Sequence, residues 1–384
     1  MAGCLVLLFL AFLSISGNAD VSIDCGASGN YTDENSIVWI GDDGMFKDST
    51  LSGVVRSSNT VSHVMSTLRV FTSQKKNCYS IKADKGRLVL VRASFFYGNY
   101  DKKSSPPSFD LLFDGNNWAT VTTTLDNEPI IYEVMYFVKS DTTSICLAQT
   151  KPNQFPFISA LEVRSLDSNM YGIVDPNYAL FVRARTAFGA NSTIRFPEDG
   201  YDRIWVPAGI GSGLVSVASD AKLIDVANAP DNPPREVLQN AITTSFSPSS
   251  IIFNPKFPFF LHVSVYMIFY FSEVTKLNST QKRSFNVYIN NIKASEPIIP
   301  PYGEAKEIFV SFTASATTSI SLVSTTDSTL PPLINAMELF YVSDRLITDG
   351  SIVKSTPSGG RKTGATFPSF IIILSIVGYF CCKK

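Results

Sequence analysis

The sequence has few of the residues on which most catalytic and metal centres depend. Its 384 residues include two histidines, three tryptophans and six cysteines, and 32 Lys and Arg nearly balance 33 Asp and Glu. Nucleic-acid binding needs a basic face, and no run of Lys and Arg supplies one. No GxxxxGK[ST] loop, GxSxG elbow or HExxH pair occurs. The cysteines show no CxxC spacing, and His63 and His262 lie far apart, so we expect no metal and no cofactor.

The longest apolar runs are at the two ends of the chain. The run over residues 5–13 is followed by small residues up to Ala19, which predicts a secretory signal peptide over residues 1–19. Near the other end, a polar stalk over residues 346–366 precedes an apolar segment over 367–382 that is closed by two lysines. The small residues in the stalk favour a glycolipid-anchor signal, whereas the lysines favour a short transmembrane helix. Both alternatives predict a membrane-anchored protein whose bulk is extracellular.

Three cysteines remain between these ends, in an oxidising compartment. Cys25, Cys78 and Cys146 allow one disulfide and one leftover thiol, and their positions leave all three pairings open. We favour Cys25–Cys78, because Cys146 falls in a predicted core strand. Three N-x-[ST] sequons, at Asn30, Asn191 and Asn278, predict a glycosylated surface.

The chain repeats itself at a spacing of about 175 residues. Residues 142–147 (TTSICL) match 317–322 (TTSISL), and the alternating residues of 156–162 recur at 332–338. We interpret this as a tandem duplication of two modules, over residues 20–170 and 178–345. Cys146 becomes Ser321 in the second copy, so a disulfide at this position would be peculiar to the first.

Each copy shows the alternation of a half-buried β-strand. In residues 109–113 and 261–269 every second residue is apolar, and Gly, Pro, Asn and Asp clusters separate such stretches. This pattern predicts an all-β protein of antiparallel sandwiches. One short helix is predicted over residues 234–242, where a Pro-Pro start precedes apolar residues on one face.

A loop rich in aromatic residues is the candidate ligand site. Sugar binding needs aromatic faces and a few polar groups, and Phe96, Tyr97 and Tyr100, with Asp110 further along, offer such a set. The alternative is that these rings pack between sheets. Glycoside hydrolysis needs two carboxyl groups, for which Asp110 with Asp114 is one candidate pair. The other candidate pairs are Asp42 with Asp43 and Asp199 with Asp202. Because the second copy has Asn at the positions of Asp110 and Asp114, a glycoside-active enzyme is only a distant alternative to a binding protein.

Several long motifs resemble one protein family. They include IDCG at 23–26, CYS at 78–80, VRASFFYGNYD at 91–101, FPFISALE at 155–162, YDRIW at 201–205 and LPPLINAME at 330–338. Together they resemble the tandem malectin-like ectodomain of plant leucine-rich-repeat receptor-like kinases. The resemblance implies two packed, jelly-roll-like β-sandwich modules that sense an extracellular ligand at the plasma membrane. After Asp344 the sequence shows neither leucine-rich repeats nor a kinase.

These features predict a non-catalytic binding protein of the plant cell surface. The expected ligand is a carbohydrate or a secreted peptide, and the expected role is that of a receptor component. The alternative is a co-receptor or decoy that binds a secreted peptide or the ectodomain of another receptor, such as a receptor kinase. No nucleic-acid partner is expected.

Overall fold

A computed structural model describes residues 20–46, 50–54, 62–125, 128–172, 174–245, 250–257 and 262–347 of the chain. These residues form 25 β-strands and two short 3-10 helices, His63–Met65 and Arg235–Leu238, with no α-helix among them, so the predicted all-β class is confirmed. The strands are β1 (Val21–Asp24), β2 (Asn30–Thr32), β3 (Val38–Gly41), β4 (Thr50–Val54), β5 (Thr67–Phe71), β6 (Lys76–Lys82), β7 (Leu88–Phe95), β8 (Ser108–Phe113), β9 (Asn116–Thr122), β10 (Ile130–Phe137), β11 (Thr142–Gln149), β12 (Phe157–Ile158), β13 (Ala160–Ser165), β14 (Leu180–Ala187), β15 (Val206–Pro207), β16 (Leu214–Ala218), β17 (Asn240–Thr244), β18 (Ile251–Phe253), β19 (Val263–Phe271), β20 (Phe285–Ile289), β21 (Ile292–Lys293), β22 (Lys306–Ala314), β23 (Ile320–Ser324), β24 (Leu333–Ile334) and β25 (Ala336–Val342).

The arrangement of strands in the N-terminal half (β1–β13) is repeated in the C-terminal half (β14–β25). A four-stranded sheet β6-β11-β8-β9 has its counterpart in β18-β23-β20-β21, and a three-stranded sheet β12-β5-β4 in β24-β17-β16. Each half also contributes a run to one large sheet, β1-β13-β7-β10 from the first and β14-β25-β19-β22 from the second. The repeated order is the three-dimensional counterpart of the repeat in the sequence.

The two halves share this large sheet. Its order is β2-β3-β1-β13-β7-β10-β14-β25-β19-β22, with β15 paired to β14. The junction is the antiparallel pair β10–β14, where Val134 lies opposite Phe181 and Met135 opposite Leu180. The first strand of the second half therefore continues the sheet of the first half.

A tryptophan is anchored in the same way in both halves. Trp39 Nε1 donates a hydrogen bond to Asp33 Oδ2 at 2.9 Å, and Trp205 Nε1 donates one to Asp199 Oδ2 at 2.7 Å. Both indole rings are buried, so each ring nitrogen needs a partner inside the protein. The same six-residue spacing in sequence gives the same local structure twice.

Alternation along the strands explains where the cores lie. In β8, Phe109, Leu111 and Phe113 are buried while the residues between them are partly exposed. These side chains join a core between the sheets of the N-terminal half, and Phe285 and Val287 of β20 do the same in the C-terminal half. Burial of such apolar surface, at about 25 cal/mol per Å², is the main stabilising contribution.

Two predictions from the sequence are wrong. The disulfide joins Cys78 and Cys146, with Cα atoms 4.0 Å apart, and Cys25 is a buried free thiol. Cys78 on β6 lies directly opposite Cys146 on β11, whereas Cys25 follows β1 in a different sheet. The predicted helix over residues 234–242 is reduced to one 3-10 turn, because the chain from Asn240 pairs as β17 with β16 and β24.

The predictions for the two ends fall outside the described residues. These are the signal peptide over 1–19, the stalk beyond residue 347 and the apolar segment over 367–382. Within the ranges given above, no helix has the length and apolar character needed to cross a membrane.

Candidate functional site

The predicted aromatic loop follows β7, where the chain leaves the large sheet. Phe96 is fully buried in the core of the N-terminal half, so its ring faces are covered by protein. Tyr97 is also buried, and its ring lies 5.6 Å from that of Tyr100 and 6.2 Å from that of Phe157. Tyr100 is half-buried, with its ring 5.7 Å from Phe157. Of the three aromatic residues, Tyr100 has the most accessible ring.

The polar groups of this loop bond to one another. The Tyr97 hydroxyl donates to Asp101 Oδ1 at 2.6 Å, and the same carboxylate accepts from the amide of Lys103. The amide of Ser104 donates to Asn99 Oδ1 at 2.8 Å. Burial and the bond to Asp101 raise the pKa of Tyr97 to about 12, so the phenol stays protonated at physiological pH. These bonds fix the loop conformation and occupy much of its hydrogen-bonding capacity.

Asp110 lies on the outward face of β8. The neighbouring Phe109 points to the core, with its ring 5.8 Å from Phe157, so the two successive side chains are on opposite faces of the strand. The Asp110 carboxylate accepts a hydrogen bond from Thr120 Oγ1 at 2.8 Å. Asp110 therefore projects away from the face on which Phe157 contacts Tyr97 and Tyr100, and sugar contact by these residues stays a prediction.

The other carboxylates proposed as catalytic pairs have structural partners. Asp42 is fully buried and accepts hydrogen bonds from Arg69, from the Tyr79 hydroxyl and from the amide of Gly26. Asp43 pairs with the same arginine at 3.0 Å. Asp114 accepts from the amide of Ser144 at 2.7 Å at the turn after β8. Each of these carboxylates thus holds a loop or a turn in place.

Asp202 belongs to a buried network of four arginines and four carboxylates at the junction of the halves. We call it the Arg–acid network; its members are Arg92, Arg164, Arg185, Arg195, Glu133, Glu162, Asp202 and Glu338. Seven of the eight side chains are buried, and Arg195 is 22% exposed. Four positive and four negative charges balance, as charges removed from water require.

Ion pairs of this network cross from one half to the other. Arg92 of β7 and Arg164 of β13 contact Asp202 at 3.2 Å and 2.8 Å, and Asp202 belongs to the C-terminal half. Arg195, also from the C-terminal half, reaches Glu162 of β13 at 3.2 Å. Because breaking a buried pair leaves an uncompensated charge, separating the halves would be costly.

Electrostatics keep Glu133 and Asp202 of this network ionised. Burial alone would raise the pKa of Glu133, but the charges of Arg92 and Arg185 outweigh it and lower that pKa below its ordinary value. Burial opposes ionisation of Asp202 in the same way, and the charge of Arg92 with the hydrogen bond from Arg195 lowers its pKa strongly. Permanently ionised carboxylates cannot serve as general acids near neutral pH.

In one carboxyl pair, Asp231 and Glu307, both pKa values are raised instead of lowered. The backbone amide of Asp231 donates to Glu307 Oε2 at 3.0 Å, and the two carboxyl groups are hydrogen-bonded to each other. Burial, followed by the neighbouring charge of Asp231, raises the pKa of Glu307 to about 8, so the pair holds a proton at neutral pH. A glycosidase needs its two carboxyl groups about 5–10 Å apart, with the substrate between them. Carboxyl groups in direct contact leave no room for that substrate.

The described residues contain no cluster of three or more His, Cys, Asp and Glu side chains that could hold a metal ion. The three predicted glycosylation sites, Asn30, Asn191 and Asn278, all have exposed side chains, as attachment of a glycan requires. Their modification stays a prediction.

The C-terminal half exposes a surface that the sequence did not indicate. Leu223 and Tyr302 are 62% and 40% exposed on two segments that run side by side. The amide of Asp225 donates to Gly303 O at 2.9 Å, and the amide of Ala305 donates back to Asp225 O at 2.7 Å. The Tyr302 hydroxyl is hydrogen-bonded to Asp220.

Acidic side chains surround these two apolar residues. Asp220, Asp225 and Glu304 are exposed beside them, against one exposed lysine, Lys222. We call this group, with Leu223 and Tyr302, the 220–304 surface. An apolar centre with a charged rim is the usual composition of a protein-binding patch.

Known proteins share both sequence and fold with this chain. A family model of the malectin-like domain matches residues 23–342. The chain is 37% identical over 345 residues to the Arabidopsis thaliana protein At1g24485, covering 89% of this chain and 68% of that protein. It is 30% identical over 331 residues to the A. thaliana LRR receptor-like serine/threonine-protein kinase IOS1, covering 84% of this chain and 36% of the kinase. The match thus spans little more than a third of the receptor kinase.

Solved structures show the same fold at lower identity. The A. thaliana ANX1 ectodomain superposes with a TM-score of 0.70 at 17% identity, covering 85% of this chain and 96% of that one. The plant receptor-like kinase FER gives a TM-score of 0.69 at 18% identity, with the same coverage. A complex of the plant peptide RALF23 with FER and LLG2 gives 0.68 at 17% identity, covering 84% and 95%. With the family model spanning most of its length, this chain belongs to the malectin-like domain family.

Proposed function

We propose that this chain is a non-catalytic binding protein of the cell surface that recognises a secreted peptide as a receptor component. The observation that supports the proposal most is the Arg–acid network. Its buried charges pair with one another and hold the two halves together. Arg185, for example, bridges Glu133 of one half and Glu338 of the other at 2.7 Å each. Such an arrangement supports a rigid platform for binding.

Similarity to receptor ectodomains supports an extracellular role. IOS1 is a receptor-like kinase, and ANX1 and FER share the fold of this chain over most of the described residues. In one related structure the neighbour FER is in complex with a peptide, RALF23, and a second protein, LLG2. A peptide ligand, or a further ectodomain as partner, is therefore the leading choice for this chain.

The 220–304 surface is where we place the peptide. Leu223 and Tyr302 supply apolar contact area, and Tyr is among the residues that most often contribute strongly to binding. Asp220, Asp225 and Glu304 give the rim an acidic character, which complements a basic segment of a ligand. The ligand we expect therefore presents an apolar side chain flanked by Lys or Arg.

Carbohydrate binding at the aromatic loop is the second candidate. Tyr100 is half-buried beside the rings of Tyr97 and Phe157, so part of its side chain is accessible for contact with a sugar. The hydrogen bonds inside the loop make this the weaker candidate, because few polar groups remain to orient sugar hydroxyls.

One binding experiment separates the two candidates. Cells that display the complete chain are incubated with labelled RALF23, with and without LLG2, and with a library of labelled plant oligosaccharides. Saturable peptide binding that is unchanged in Tyr97→Ala/Tyr100→Ala supports the peptide proposal. Oligosaccharide binding that this double variant abolishes supports the lectin alternative, and turnover of any oligosaccharide contradicts both.

A further inference from the structure

The large sheet ends at β22, which is an unusually long and apolar edge strand. It has nine residues, KEIFVSFTA, and its charged residues are confined to the first two positions, Lys306 and Glu307. The other strands at sheet edges are shorter, and the seven-residue β6 has a lysine at each end. Natural proteins block open edges with charges, prolines or short strands, because an unpaired edge is a template for another strand. Residues 308–314 have none of these devices.

The counterpart of β22 in the N-terminal half has a covered edge. In the β7–β10 pair Val91 lies opposite Val134, and in the β19–β22 pair Met267 lies opposite Val310, so β10 corresponds to β22. The far edge of β10 is paired by β14, the first strand of the C-terminal half. Among the strands that the structure describes, β22 pairs only with β19.

The side chains at matching positions of β10 and β22 also differ in their exposed fractions. Glu133 and Met135 of β10 are 8% and 1% exposed, since the C-terminal half covers them. Phe309 and Ser311 occupy the matching positions of β22 and are exposed, with Phe309 at 45%. Phe309 is therefore exposed at a position whose counterpart in the N-terminal half, Glu133, is covered by the C-terminal half.

We propose that the edge of β22 pairs with β22 of a second copy of this chain, antiparallel and about a two-fold axis at Val310. This register sets Phe309 opposite Ser311 and Ile308 opposite Phe312, so core-facing residues of one copy continue those of the other. A two-fold axis is the most common symmetry of homodimers and makes an interface of one strand with itself.

Charge favours a second copy as the occupant. In this register Lys306 and Glu307 lie opposite Ala314 and Thr313 of the other copy, so no like charges face each other across the pair. Every backbone group of the edge gains a partner, and the dimer forms one sheet through both copies. The proposed strand pairing is independent of the ligand, because no residue of the 220–304 surface belongs to β22.

Cysteine crosslinking in the complete chain tests both the pairing and its register. Two differently tagged chains, one with Phe309→Cys and one with Ser311→Cys, are expressed in the same plant cells and oxidised with diamide. Opposite residues of an antiparallel pair have Cα atoms about 4.5–5.5 Å apart, which lies within the range of about 4.4–6.8 Å that a disulfide spans. We expect a dimer that carries both tags, several-fold more abundant than with Val38→Cys and Ser311→Cys, where Val38 is an exposed residue of β3.

A second variant tests the interface without crosslinks. Phe309→Lys/Ser311→Lys places charges on exposed edge positions, so the fold is retained while co-precipitation of the two tagged chains is lost, and Val38→Lys leaves it unchanged. Crosslinking no stronger than the control at equal surface expression would overturn the proposal. A crosslinked product that contains one tag and a different polypeptide would overturn it too, since it would identify another occupant of the edge.

Discussion

Arg185 of β14 donates from Nη1 to Glu133 Oε2 of β10 at 2.7 Å, beside the strand pair that joins the two halves. Both side chains are buried, at 1% and 8% exposure. Arg185 also donates to Glu338, and Glu133 also accepts from Arg92. The pair therefore connects the charges of one half to those of the other, and we expect the halves to unfold together.

Replacing Glu133 with Gln should destabilise the whole protein. The amide has no charge to offset Arg92 and Arg185, and removing one partner of a buried pair costs about 3–5 kcal/mol. Urea unfolding followed by tryptophan fluorescence measures this loss, since buried tryptophans report on both halves. Lys282→Ala is the control: it removes an exposed pair with Asp327 and should leave the midpoint unchanged. A midpoint of Glu133→Gln equal to that of the control would contradict the structural role of the network.

The Cys78–Cys146 disulfide can be tested by its connectivity and by its contribution to stability. Peptide mapping without reduction should give a Cys78–Cys146 crosslink, separated by 68 residues in sequence. Closing a loop of this size stabilises the folded state by about 4 kcal/mol in the chain-entropy model, so Cys78→Ser/Cys146→Ser should lose a large part of that. Burial raises the pKa of the Cys25 thiol, and alkylating reagents should modify it only after unfolding. A crosslinked peptide that contains Cys25 would contradict the structure.

The Asp231–Glu307 pair should make stability fall as the pH rises from about 4.5 to about 8. The folded-state pKa of Glu307 is raised to about 8 from an ordinary value near 4.5. The folded protein therefore binds a proton that the unfolded chain does not, and its contribution is complete below about pH 4 and lost as pH rises through 8. The ionisable groups around the pair are Tyr171, Arg203, Tyr266, Tyr270 and Glu338. The charge of Glu338 raises the pKa of both carboxyl groups, and the charge of Arg203 lowers that of Asp231.

Glu307→Gln tests this assignment. The Gln side chain can accept from the Asp231 amide and donate to its carboxylate, as protonated Glu307 does, but it cannot lose a proton. Melting temperatures measured from pH 5 to 9 should decline with pH in the wild type and much less in Glu307→Gln. Glu304→Gln, at an exposed neighbouring position, should follow the wild type. If both variants decline as the wild type does, the pair does not share a proton.

Features that depend on local pattern were predictable from the sequence. Alternation of apolar residues predicted strands at β8 and β19 and with them the all-β class. β8 has the one buried face that alternation implies, whereas β19 is buried on both faces. The repeat at about 175 residues predicted that the strand order would recur, as it does. Loss of the cysteine at Ser321 also fits, since Ser321 lies opposite Ile252 on the strands that correspond to β11 and β6.

Features that depend on contacts distant in sequence were not predictable. The pairing of Cys78 with Cys146 follows from the register of β6 with β11, which one sequence does not reveal. Arg92 and Asp202 are 110 residues apart in the chain, and no local pattern shows that they meet. One signal was available: Arg92, Glu133, Arg185 and Glu338 interrupt otherwise apolar strands, and a charge that must be buried needs an opposite charge nearby. The burial of the aromatic loop was not predictable for a similar reason, because its composition does not show that Phe96 and Tyr97 face the core.

Peptide binding by Leu223→Asp tests most directly whether the 220–304 surface recognises a peptide. Labelled RALF23, with LLG2 present, is titrated onto cells that display the wild type, Leu223→Asp, or Ile292→Asp, a control at a somewhat more exposed aliphatic residue of β21. We predict that Leu223→Asp abolishes saturable binding at equal surface expression, that Ile292→Asp leaves it unchanged, and that added salt weakens binding to the wild type. Equal binding by all three proteins, or by none, would contradict the claim that this surface recognises the peptide.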